Sequence, residues 1–168
     1  MKNVVALLLV SIFVMVSCGT KMESEEIHGL VFGYSRGLML GVDIGDSWED
    51  VKKNCRSGWA IREEDQIYQL RKDWDMGNDM MYASFNLDDR NTVQEMEFSI
   101  TASGGNILEL KKLHQKFIQD FNLITSQNLK TDWQYSAPNG NLYTIMLTSM
   151  ELDDKKQMLT VYTILHLQ

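Results

Sequence analysis

Cations are scarce in this sequence: 16 Lys and Arg stand against 23 Asp and Glu, and no stretch gathers them into a patch. Nucleic acid is bound largely by neutralising phosphates, so a chain with a net charge of −7 is excluded from that class. Anionic lipid headgroups are disfavoured partners on the same ground. Cysteine is scarce as well: Cys18 and Cys55 alone cannot build a disulfide framework. No apolar run has bilayer length. Residues 4–16 are apolar except for Ser11, and they fall short of the about 20 residues a spanning helix needs. His28, His114 and His166 share no metal-ligand spacing. The strand–helix alternation of a parallel α/β sheet is missing too. No cofactor is expected from any of these residues.

What is present begins with the first 18 residues. Lys2 is followed by the apolar run and then by Ser17-Cys18-Gly19, small residues around a thiol. A charged start, a short apolar core and a small-residue exit form the pattern of a secretory signal. A buried helix would need a polar face toward water, which residues 4–16 do not offer. Met15-Val16-Ser17-Cys18 resembles the lipobox of bacterial lipoproteins, with Met where Leu is usual. The resemblance implies cleavage before Cys18, acylation of Cys18, and a partner in the lipid bilayer. Two or three acyl chains anchor stably where one gives only marginal binding.

Residues 1–17 are therefore expected to be a signal peptide, 18–28 a lipidated Cys with a flexible polar tether, and 29–168 one α+β domain. Residues 19–26 carry Glu23, Glu25 and Glu26 and a single apolar residue, Met22, too little to bury a core. Acidic residues just after the lipidated Cys also resemble the surface-export signal of Bacteroidetes lipoproteins; a solvated linker would look the same. Cys55, left alone, is read as a buried small apolar residue. The 11 Met residues are read as core filling rather than as metal ligands.

Within the domain, Leu30-Val31-Phe32 and Leu38-Met39-Leu40, separated by Gly33-Tyr34-Ser35-Arg36-Gly37, read as strand, turn, strand. A helix starts after Gly45, capped by Asp46 or Ser47, each with an acidic residue three places on. It ends near Ser57-Gly58. Residues 67–74 read as a strand. Met81, Ala83, Phe85 and Leu87 alternate, the chain turns at Asp88-Asp89-Arg90-Asn91, and Gln94, Met96, Phe98 and Ile100 alternate on the return. A second helix, capped by Asn106, sets Leu110, Leu113, Phe117, Phe121 and Ile124 on one stripe. Strands over 131–135, 142–150 and 158–167 complete the chain. Helices packed on one face of an antiparallel sheet follow, two of them by this count.

The halves 44–101 and 106–167 look alike. Each has a helix, an Asp-Trp strand (Asp73-Trp74, Asp132-Trp133), a turn, and a Leu-Asp-Asp-basic turn before the last strand. A tandem α-β-β-β repeat is one reading and chance similarity of Asp-Asp turns is the other. Ile44-Gly45-Asp46-Ser47-Trp48-Glu49-Asp50-Val51-Lys52, opening a helix that leads into antiparallel strands, resembles the start of SmpA/OmlA and β-lactamase-inhibitor-protein-like domains. That family's helix commonly ends in Leu-Gly-x-Pro, whereas Asn54-Cys55-Arg56-Ser57-Gly58 stands here. The resemblance implies protein binding without catalysis at the bacterial envelope.

Catalytic motifs find competing structural explanations. Gly33-Tyr34-Ser35-Arg36-Gly37 has nucleophile-elbow spacing, but that motif needs a strand before it and a helix after it. Asp43-Ile44-Gly45-Asp46-Ser47 is similar to the first block of Gly-Asp-Ser-Leu esterases, yet no His follows an Asp by three residues. Asp73, Asp75 and Asp79 share one turn, without the Gly and Glu a calcium loop requires at its sixth and twelfth positions. No catalytic or metal residue is expected. In the hairpin around Asp88-Asp89, Met80, Tyr82, Ser84, Glu95 and Glu97 fall on the face opposite the core, and Met80, Tyr82, Glu95 and Glu97 are the expected partner-binding residues. In the second half, either Tyr143, Ile145 and Leu147 or else Leu142 and Met146 face outward. The expected function is a lipid-anchored envelope module binding a protein partner. An immunity-type inhibitor, with an acidic surface plugging a basic toxin, is the alternative.

Overall fold

The computed structural model describes residues 23–55, 58–74 and 79–166. Cys18, the apolar run before it and the turn through Asp75 lie outside the described residues. The fold is α+β. Three helices, α1 (Ser24–Phe32), α2 (Trp48–Asn54) and α3 (Asn106–Thr125), lie on one face of a seven-stranded antiparallel sheet. The strands are β1 (Ala60–Glu64), β2 (Ile67–Trp74), β3 (Asp79–Leu87), β4 (Val93–Ser103), β5 (Asp132–Ser136), β6 (Leu142–Asp153) and β7 (Lys156–Leu165). Their order across the sheet is β1-β2-β3-β4-β7-β6-β5. Two meanders therefore meet at the β4–β7 pair. The first has four strands and a 7-residue helix; the second has three strands and a 20-residue helix.

Period-2 alternation produces the sheet. Met81, Ala83 and Phe85 on β3 and Met96, Phe98 and Ile100 on β4 are buried, as are Tyr143, Ile145 and Leu147 on β6. The helical stripe meets them: Leu110, Leu113, Phe117 and Phe121 are buried, and Phe117 packs on Phe98 with ring centroids 6.1 Å apart. Ile124, the last residue of the expected stripe, is exposed, because the helix ends one residue later in the left-handed Ser126. Ser47 caps α2: its Oγ accepts from the Asp50 N–H at 3.1 Å and donates to the Asp50 carboxylate at 2.8 Å. Cys55 is half-buried, and burial pushes its thiol up.

Several expectations change, the count of two helices among them, since the described residues form three. Residues 24–32 form a helix where a strand was expected, and the helix starts inside the stretch read as tether. Ile27 and Val31, one helical turn apart, are fully buried, and Phe32 packs edge-on against Phe117 and Phe121. Gly29 and Gly33 read locally as breakers, but contact with α3 outweighs that weak propensity. The second segment, 38–42, is a tight turn with left-handed Leu40 and Gly41 rather than a strand. At α3 the cap is Gly105, and Asn106 instead donates to the fully buried carboxylate of Asp79 at 2.6 Å. Ser103 donates to the other oxygen at 2.7 Å, so Asp79 ties β3, β4 and α3 together. The fourth strand of the first meander, β1, had no period-2 signal, since all five of its residues are exposed.

Ion pairs add to the docking of α1. His28 Nε2 lies 2.7 Å from Asp120, Lys116 lies 2.6 Å from Glu25, and the Glu109 carboxylate accepts from the Ser24 N–H at 3.2 Å. Lys112, and then the Ser24 backbone and hydroxyl, draw the Glu109 carboxyl down to about 2 from an ordinary 4.5. A carboxyl depressed by folding supports the fold above its unfolded value and loses that support as pH falls through its folded value. Amide protection in α1 is therefore expected to fall between pH 4.5 and about 2. Hydrogen exchange on wild type and Glu109→Gln checks this. The variant should respond less to acid, and identical responses would remove Glu109 from the explanation.

Candidate functional site: the uncovered sheet face

All three helices pack on the face carrying Phe85, Phe98 and Trp133. Strand pairing orders the opposite face into rows. One row crosses the sheet as Gln69, Ser84, Glu97, Tyr162, Met146 and Asp132. Beside it run Arg71, Tyr82, Ser99, Thr160 and Thr148. Beyond that come Met80, Thr101, Met158 and Met150. Met80, Tyr82, Glu95 and Glu97 thus share this face, as their alternation indicated. Leu142 and Met146 also face it, while Tyr143, Ile145 and Leu147 belong to the core.

Small hydroxyls form the centre. Ser99 and Thr160 are buried although no helix covers them, and their hydroxyls lie 2.9 Å apart. Tyr82 flanks them, its hydroxyl donating to Glu97 at 3.0 Å, with Ser99 donating to the same oxygen at 3.3 Å. Partial burial, with Glu97 beside it, pushes the Tyr82 phenol up. Asn86 donates to Glu95 at 3.0 Å. Among the described residues neither Glu95 nor Glu97 forms an ion pair. The two carboxylates are held by neutral donors that any partner cation could supplement. Sequence reasoning missed Met158, Thr160 and Tyr162. Their alternation with Leu159, Val161 and Thr163 is legible, but apolar residues on both faces left the core side undecided.

The elements that could do chemistry are occupied otherwise. Ser47 is engaged in the α2 cap. The chain reaches Ser35 from helix α1, not from the strand an elbow requires. His28, His114 and His166 stand apart, on Asp120, in a half-buried site where burial lowers the pKa, and on Thr144. Asp43 accepts from the Tyr135 hydroxyl at 2.7 Å and from the Ile44 N–H at 2.9 Å; Asp46 pairs with Arg36. Burial raises the Asp43 carboxyl, and burial together with Asp43 pushes the Tyr135 phenol well above its usual range. This cluster closes residues 36–46 onto β5. Among the described residues no group of three or more His, Cys, Asp and Glu could hold a metal ion, and no helix is long and apolar enough to cross a membrane. No family model, curated protein or solved structure matches the chain.

Proposed function

We propose that the chain is a bacterial envelope lipoprotein, anchored in the bilayer through acylated Cys18, whose domain binds a protein partner on the uncovered sheet face without catalysis. The observation that supports this reading most is the composition of that face. Two tyrosines, several methionines and the pair Glu95 and Glu97 stand on strands whose other side is filled by three helices. Aromatic side chains that are rigid, half-exposed and flanked by polar groups often dominate protein contacts. The Ser47-capped helix leading into antiparallel strands is compatible with the SmpA/OmlA-like resemblance. Among the described residues Glu95 and Glu97 are bonded by neutral donors alone, which favours a basic partner surface and also suits an inhibitor of a basic toxin.

The test is a pull-down from detergent-solubilised envelope. Tyr82→Ala is expected to weaken capture of the partner by more than about 1 kcal/mol while leaving the melting temperature nearly unchanged, because Tyr82 is a half-exposed surface residue. Leu123→Ala, exposed on α3, is the control and should bind as wild type. Equal capture by the Tyr82 variant, or its unfolding, defeats the assignment of this face.

A further inference from the structure

β6 is 12 residues long and β5 only 5, so β5 covers less than half of the β6 edge. β5 pairs with Leu142 through Met146, and its lane ends where Thr131 C=O accepts from the Leu147 N–H at 2.8 Å. From Thr148 on, β6 is held by β7 on one side alone. Two bonds decide which backbone groups point outward. His166 N–H donates to Leu142 C=O, so the even-numbered residues of β6 aim at β7. Leu147 N–H aims at Thr131, so the odd-numbered residues aim the other way. Ser149 thus directs N–H and C=O, and Glu151 its N–H, into solvent, and beyond Glu151 the register with β7 shifts.

The sheet's other free edges carry protection. On β5 the Gln127 side chain clasps Gln134, its Nε2 donating to the C=O at 2.8 Å and its Oε1 accepting from the N–H at 3.1 Å. That is the bond pair a neighbouring strand would make, supplied by a side chain. On β1, exposed Arg62, Glu63 and Glu64 discourage pairing. The stretch from Thr148 to Glu151 has no such clasp; acidic residues and a register shift come only at its outer end, and Met150 is exposed by 52% and Leu152 by 44%. Where the β5 lane stops, a notch opens between α3 and the sheet, lined by His114, Ile118, Lys130, Met146, Leu147 and Ser149.

Charge differs along this lane. Glu151, Asp153 and Asp154 crowd the outer end, outnumbering Lys155 and Lys156 of the turn, and Lys130 stands at the inner end. A strand running antiparallel to β6 starts at the acidic end and finishes beside Lys130.

We propose that the β6 edge around Ser149 and Glu151 accepts an extended segment of a partner protein as an added antiparallel strand. The segment is basic where it starts beside Glu151 and Asp153, and it places an apolar side chain in the notch of His114, Ile118 and Leu147. Strand addition takes its affinity from main-chain bonds and its specificity from the pocket. The main-chain groups it uses lie at the β6 edge, with β4 and β7 between them and Tyr82 on β3, so either reading can fail without the other.

The probe is a fluorescein-labelled peptide, Lys-Thr-Val-Thr-Val-Thr-Glu, titrated against the full chain in detergent micelles and read by fluorescence polarisation. Ser149→Pro removes an outward N–H and leaves the β7 ladder intact, a position where an edge strand tolerates proline. It is expected to weaken binding by about tenfold or more, whereas Ser149→Ala should stay within about twofold of wild type. If Ser149→Pro fails to fold, Glu151→Pro removes the next outward N–H and carries the same expectation. No binding by wild type, or equal binding by the folded proline variants, overturns the proposal. So does a loss in Ser149→Ala matching that in Ser149→Pro, which would place the contact in the side chain. A wild-type dimer in sedimentation that Ser149→Pro dissociates, with no peptide binding, assigns the edge to a second copy and overturns it as well.

Discussion

Trp133→Ala is expected to cost about 3–5 kcal/mol, the range for removing a large aromatic side chain from a packed core. Trp133 is fully buried at the start of β5, its ring 5.2 Å from Phe121, and its Nε1–H donates to Asn122 Oδ1 at 2.7 Å. β5 is short and is an edge strand, so Trp133 is its main hold on α3. The melting temperature should fall by about 6–20 °C, since each kcal/mol moves a domain of this size by about 2–4 °C. Trp133→Phe keeps most of the volume and loses one hydrogen bond, while Asn122 Oδ1 still accepts from the Leu129 N–H at 2.7 Å. That variant should lose only about 1 kcal/mol. Thermal unfolding by circular dichroism reads both. A cost for Trp133→Ala no greater than for Trp133→Phe would mean that β5 is not held by this side chain.

Cys18→Ser is the second large effect, and it is all or none. Under the proposed function the thiol is the acylation point, and a hydroxyl cannot form the thioether. The variant should incorporate no radioactive palmitate, run at the mass of the uncleaved chain, and show none of the detergent partitioning that two or three acyl chains give. Wild type should be labelled and shortened. Label retained by the Ser variant, or a wild type without label, ends the lipoprotein reading.

Much of the architecture is legible in local pattern. β3 and β4 follow from alternation, because on a half-covered sheet each second residue faces the core, and β2, β6 and β7 were legible as apolar segments between turns. α3 follows from its stripe and α2 from the Ser47 cap with Asp50. Met80, Tyr82, Glu95 and Glu97 fall on one face because each alternates with buried residues of its own strand; the hairpin turn alone does not set their pairing, since the register shifts by one between Asn86 and Leu87. Elements without local pattern were lost. α1 has two glycines within or beside it and owes its helix to α3. β1 has no buried residue to betray it.

By itself, then, the sequence determined the periods and the hairpin and narrowed the α2 cap to Asp46 or Ser47, because propensity and alternation act between near neighbours; at α3 it pointed to Asn106 where Gly105 is the cap. It left open which side of β6 and β7 is core: Tyr143, Ile145 and Leu147 alternate with Leu142 and Met146, both apolar, and local pattern does not choose between them. Tertiary structure chose, by setting α3 against Trp133 and Phe98 and thereby assigning Met146, Met158 and Tyr162 to the uncovered face. It also decided that Asp79, read as a turn residue, would be a buried tie between β3, β4 and α3. The free stretch of the β6 edge arises the same way. Its existence depends on where β5 stops, and the length of one strand is not written in the residues of the other.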